Sequence, residues 1–184
     1  MTRPARAAIG ERATELRWMY IGLMLSLPVL LDPEQSLAAI LNSRFGLGPD
    51  VPCEIFRSDG SLQSSTKIST VLAHASSLRG DILKEDLLTF AAMHGAVRVG
   101  DMLAQGSYFK QDDPLLQFGR HLRNACAHGN RWHFRAGEPR YPARLRGLVI
   151  DPSLHGTRAL FGNVAPGDYL DYLDDLSARM SSPP

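Results

Sequence analysis

One hexapeptide of this 184-residue chain holds the residue types that phosphoryl chemistry without a metal uses. "RNACAH" runs from Arg123 to His128. A guanidinium presents a rigid fork of donors that matches phosphate oxygens. An imidazole, with an ordinary pKa of about 6.5, can both take and give a proton near neutrality. Metal-free cleavage of RNA needs these two functions. A base deprotonates the ribose 2′-hydroxyl as it attacks the adjacent phosphorus, and a cation stabilises the charge that builds on the phosphorane. Asn124, next to the arginine, can hydrogen-bond the same ligand or steady the imidazole.

The motif must be held by a helix. In "DDPLLQFGRHLRNACAHGN", Asp113 has the side chain of an N-cap, Pro114 suits the first helical position, and Gly129 with Asn130 ends the element. At about 100° per residue, Phe118, Leu122, Ala125 and Cys126 share one face, which is expected to be buried. Gln117, Arg120, His121, Asn124 and His128 fall on the opposite side, expected to face solvent, with Arg123 on the flank. One such helix offers a single placed histidine, His128. The reaction benefits from a base and an acid on opposite sides of phosphorus. Two copies of the helix across a two-fold axis would bring two arginines and two histidines to one cleft, so a homodimer is expected.

An Arg-x4-His spacing with a polar residue directly after the arginine, near the end of a late helix in a helical bundle, resembles the HEPN superfamily (higher eukaryotes and prokaryotes nucleotide-binding domains). The resemblance covers the bundle loosely and the motif specifically. It implies a metal-independent endoribonuclease, a hydrolase that acts as a dimer in toxin–antitoxin or phage-defence systems and needs no cofactor. Arg123 and His128 would be the catalytic pair and Asn124 the supporting polar residue. The implied partners are RNA, a second copy of the chain, and a cognate antitoxin or regulatory protein. Some HEPN toxins carry a tyrosine two residues after the histidine, where a partner nucleotidyltransferase can modify it. Asn130 stands there in this chain, so silencing of that kind is not expected.

Charge distribution points the same way. The formal net charge is only +1, yet residues 115–150 hold seven arginines against one acid, Glu138, leaving the rest of the chain net negative. Arginine outnumbers lysine 17 to 3. A GC-rich genome explains that ratio, but not the scarcity of acids in this window, so an anionic partner is favoured. Arg120, His121, Arg131, His133 and Arg135 are the candidate RNA-binding residues around the motif.

Composition, with 44% hydrophobic and 21% charged residues, is that of an ordinary globular protein. The two cysteines, Cys53 and Cys126, are too few for a disulfide framework, and no secretory signal is evident. A cytoplasmic setting is expected. "WMYIGLMLSLPVLL", Trp18 to Leu31, carries no charge, but a membrane span needs about 20 such residues and Pro28 interrupts this one. Burial in the core or in an interface is expected, and no membrane association.

The remaining pattern predicts helices over "DPEQSLAAILNSRFG", over Ile68 to Leu78 and over "LKEDLLTFAAMHGAVRVGDMLAQG", the last with an apolar stripe of Leu83, Leu87, Phe90, Met93, Val97 and Leu103. Residues 48–66 read as a loop with a short strand at "CEIF". After the motif, "RWHFR", "RLRGLVI" and "GTRALFG" have strand composition between Gly/Pro turns, and "YLDYLDDLSARM" is a last helix with Asp168 as its cap.

The fold class is therefore mainly α: a HEPN-like bundle of four to five helices with a small β-hairpin or sheet insertion over about 130–162 before the last helix. A single domain over 1–180 and a disordered tail over 181–184 are expected.

Two other readings stay open. A non-catalytic HEPN-like module could hold RNA, a nucleotide or a protein in the same cleft, and a helical interaction protein could use the apolar 18–31 segment. No metal site is expected. Cys126, His128 and His133 match no zinc-ligand spacing, and Asp171, Asp174 and Asp175 read as a solvated helix face.

Overall fold

Small residues on one helix receive large ones from the next, and that pairing sets how the helices meet. The computed structural model describes residues 4–30, 42–44, 46–48, 50–70 and 80–182, which are mainly helical with two small antiparallel strand pairs. The described residues up to Gly22 and from Leu88 onward form one compact unit. Those between Leu23 and Leu87 form another.

In the first unit, the part of α1 (Arg6–Leu30) up to Gly22 buries Ile9, Ala13, Leu16 and Tyr20, a stripe at helical spacing. The apolar segment from Trp18 is thus the later part of a helix whose buried stripe begins at Ile9. Arg6 donates to the carbonyls of Arg179 (2.6 Å) and Ser182 (3.1 Å), and Arg17 pairs with Asp174 at 2.7 Å. The apolar segment is buried in the single chain only in part. Tyr20 is buried, but Trp18 and Met19 are 62% and 66% exposed. The helix runs through Pro28 to Leu30. Among the described residues no helix is long and apolar enough to cross a membrane.

α2 (Gly80–Gln105) faces the core with Leu88, Ala92, Ala96, Val99 and Leu103. The stripe expected from its largest residues is thus rotated, and Phe90 stands 71% exposed. The reason is close approach. A Cβ on Gly95 would lie 2.2 Å from the Tyr169 hydroxyl, so the small-residue face, not the bulky one, admits the neighbouring helix.

α3 (Pro114–Ala127) starts as its sequence dictates, with Asp113 accepting from the N–H groups of Leu115 (3.0 Å) and Leu116 (3.3 Å). α4 (Pro166–Ser181) buries Tyr169, Tyr172, Leu173, Leu176 and Met180. Tyr172 packs against Phe118 and closes on Gly119, where a Cβ would lie 2.4 Å from its hydroxyl. Asp168 is not the N-cap. Ala165 is, and Asp168 reaches back from inside the first turn to accept the Ala165 N–H at 2.8 Å.

Between α3 and α4 the chain forms the expected β excursion, mostly as irregular pairing. "RLRGLVI" makes a tight hairpin of β3 (Arg144–Leu145) and β4 (Leu148–Val149), its turn taken by Arg146 at φ 49 and by Gly147. "RWHFR" and "GTRALFG" are not regular strands. They meet through an isolated bridge of Arg131 to Arg158 and through bonds between Trp132 and Gly156–Thr157.

In the second unit, β1 (Pro52–Phe56) contains the expected "CEIF". It pairs with β2 (Leu62–Lys67), which lies where a loop was expected. Residues 42–44 and 68–70 are helical. The Asp32 cap, the remainder of the helix expected over 68–78, and residues 183–184 of the expected tail lie outside the described residues.

Candidate functional site

The C-terminal half of α3 is built against α2. Gly100 makes room for the stem of Arg123: a Cβ there would sit 2.4 Å from Cγ and 2.6 Å from Cβ of the arginine. So seated, the guanidinium donates from Nε (2.9 Å) and Nη2 (2.7 Å) to Oδ1 of Asp101, and from Nη1 to Asn124 Oδ1 at 3.4 Å. The side chains of Arg123 and Asp101 are 35% and 40% exposed. Asp101 therefore takes one edge of the guanidinium, and the edge formed by Nη1 and Nη2 keeps donors for another acceptor.

His128 closes the helix as its C-cap, its backbone N–H bonded to the carbonyls of Asn124 and Ala125. Gly129 and Asn130 follow at φ 73 and 62. These left-handed residues turn the chain back over α3. Asn130 is buried and pins the returning segment: its Oδ1 accepts from the Leu160 N–H at 2.7 Å and its Nδ2 donates to the Leu160 carbonyl at 2.9 Å. The exit residue is thus a structural clamp.

That turn puts three exposed imidazoles in a row. His128 and His133 have ring centroids 4.8 Å apart, and His133 and His155 5.5 Å. The Phe134 N–H donates to Nδ1 of His155 at 3.2 Å. Among the described residues no group of three or more His, Cys, Asp or Glu is arranged to hold a metal ion.

The remaining expected site residues divide. Arg131 is exposed and donates to the Gly156 carbonyl at 2.8 Å, and Arg135 is exposed. Arg120 pairs with Glu138 at 2.5 Å. Burial raises the Glu138 carboxyl, but the Arg135 N–H and the charges of Arg120, His121 and Arg135 outweigh it and hold the group below its usual range.

His121 is a correction. It is 1% exposed, out of reach of RNA, because the returning segment covers it with Phe134, whose ring lies 5.4 Å away edge-on. Neither ring nitrogen has a hydrogen-bond partner. Burial, then the charge of Arg120, pulls its pKa down to about 4, against a smaller upward pull from Glu138. Gln117, expected on the same wet face, is also buried and donates to the carbonyls of Phe109 and Gln111.

The acids missing from the basic window arrive from other helices. Asp101 meets Arg123, while Asp171 and Asp175 both meet Arg146. The acidic face of the last helix therefore holds ion pairs. Arg140 and Arg144 are exposed without an ion pair among the described residues. Cys126 is buried, its thiol pushed up to about 12 by burial, so it supplies no thiolate.

Sequence reasoning missed Asp101, Gly100 and His155. Asp101 and Gly100 lie on another helix with no local signature, although a small–acidic pair on the helix preceding the motif is a usable signal. The chain matches no protein-family model, no curated protein and no solved structure.

Proposed function

We propose that this chain is a metal-independent endoribonuclease of the HEPN type. His128 would act as the base toward the 2′-hydroxyl, Arg123 would stabilise the phosphorane, and Asn124 would orient the guanidinium or the phosphate. The observation that carries the reading is the seating of Arg123. Gly100 and Asp101 fix its stem and one edge, leaving further donors on Nη1 and Nη2 of a partly exposed side chain, on the same half-helix that ends in exposed His128. A pre-placed guanidinium needs little reorganisation when charge develops on phosphorus. A homodimer, a cytoplasmic setting, and a toxin or phage-defence role under a cognate antitoxin or other regulatory protein belong to the same proposal.

The alternative is a non-catalytic module that binds RNA or a partner on this face. The Asp101 pair favours it, because the carboxylate already compensates part of the Arg123 charge. The test is cleavage of mixed cellular RNA in EDTA by wild type, Arg123→Ala and His128→Gln at matched folding. Fragments with 2′,3′-cyclic phosphate ends from wild type alone support the enzyme. RNA bound but intact supports the module.

A further inference from the structure

We infer that His133 delivers the second proton of the proposed cleavage, to the leaving 5′-oxygen, from the same protomer that provides His128. This rests on the ribonuclease reading above. Transesterification needs one proton removed and another supplied. The 2′-hydroxyl proton goes to His128 as the O2′–P bond forms. The P–O5′ bond then breaks, and its electron pair takes the proton carried by His133. The products are a 2′,3′-cyclic phosphate and a 5′-hydroxyl. Proton exchange between the two imidazoles through water resets the pair, so atoms and charges balance without a further reagent.

Three observations carry the assignment. The rings of His128 and His133 are in contact, with centroids 4.8 Å apart and planes inclined by 37°, and both are exposed. Both imidazoles can therefore reach one phosphate, His128 toward O2′ and His133 toward O5′, with water carrying the proton between them. Their placement is enforced: the left-handed Gly129 and Asn130 fold the chain back, and the clamp of Asn130 on Leu160 holds the return. Behind His133 stands His155 at 5.5 Å, with its Nδ1 engaged by the Phe134 N–H. That bond fixes the ring that packs against His133. Next to the row, a cleft of about 490 Å³ is lined by Phe134, Arg135, Glu138, Pro152 and His155 among others. Its size suits one small ligand, and the nucleoside on the leaving side would occupy it.

A consequence follows for assembly. The expectation of a two-fold mate arose from a single placed histidine per helix. With His133 beside His128, the second imidazole comes from the same chain.

The test compares two RNA substrates of one sequence, cleaved by wild type and by His133→Gln. One has the natural linkage. The other has a 5′-bridging sulfur at the cleaved position, which leaves as a thiolate without needing a proton. General-acid catalysis contributes about 10²–10⁴-fold. His133→Gln should therefore lose at least about 10²-fold on natural RNA and cleave the sulfur substrate at close to the wild-type rate, while His128→Gln loses both. Wild-type cleavage of natural RNA by His133→Gln, or an equal loss on both substrates, overturns the role of His133 and leaves the ribonuclease reading standing. Natural RNA left intact by wild type overturns both.

Discussion

Arg123 and Asp101 are joined by two hydrogen bonds to a single carboxylate oxygen, from Nε at 2.9 Å and Nη2 at 2.7 Å. The pair links the third helix to the second across 22 residues of sequence. Both side chains are partly exposed, so its contribution to stability is small, about 0–1 kcal/mol. Its contribution is orientation. Asp101→Ala should leave the urea midpoint nearly unchanged and lower kcat for RNA about tenfold or more, with KM changed less, because a misaimed guanidinium loses transition-state contacts first. Equal kcat values for the variant and wild type would show that the pair is only structural.

Gly100 tests the same seat by steric means. A methyl at this position would lie 2.4 Å from Cγ of Arg123, near the backbone where the side chain has least freedom to move. Overpacking of this kind costs about 1–3 kcal/mol. Gly100→Ala should lower the melting temperature and reduce cleavage beyond the loss of folded protein. Gly119→Ala, which meets Tyr172 instead, should lower stability by a similar amount without that excess loss. Matched activity per folded molecule in both variants would contradict the placement of Arg123.

Asn130 clamps the segment that carries His133 and His155. Asn130→Ala removes both bonds to Leu160 and leaves a left-handed alanine at φ 62. Two lost buried hydrogen bonds and the backbone strain together cost about 2–4 kcal/mol. Amide exchange should also rise around Leu160. A loss below about 1 kcal/mol, the scale of a single ordinary hydrogen bond, would mean that the clamp contributes little.

His121 gives a pH dependence with a definite sign. Its pKa in the folded protein is about 4, against about 6.5 when unfolded. The unfolded chain therefore binds the proton more tightly, and stability falls as pH drops from about 6.5 toward 4. The loss attributable to this residue approaches roughly 3 kcal/mol at the acid end, and none of it is present above pH 6.5. His121→Leu should be neutral or stabilising at pH 7, since neither ring nitrogen has a partner to lose. Its advantage over wild type should widen toward pH 4. Parallel stability–pH curves for the two proteins would refute the burial of this imidazole as a neutral base.

What the sequence made legible was local. Asp113 and Pro114 start the third helix, and Gly129 with Asn130 stop it, because caps and left-handed turns are settled by neighbouring residues. Contacts between distant elements were not legible. Helical periodicity placed His121 on the wet side, and only the chain returning through Phe134 covers it. The bulky stripe through Phe90 misdirected the orientation of the second helix, since Gly95 needs the Tyr169 side. Asp101 and His155 carry no motif of their own; distant contacts bring them to Arg123 and His133. Acids absent from the basic window in sequence return to it in space through Asp101, Asp171 and Asp175.

The central claim is that Arg123 and His128 act together on one phosphorane. The most direct measurement is a double-mutant cycle on RNA cleavage in EDTA, with end-group analysis of the products. Arg123→Ala and His128→Gln should each lower kcat/KM by about 10²-fold or more. The double variant should fall little below the worse single one, because groups that serve one transition state are not additive. The wild-type products should carry 2′,3′-cyclic phosphate ends. Intact RNA with wild type, or cleavage that survives both substitutions, would contradict the account.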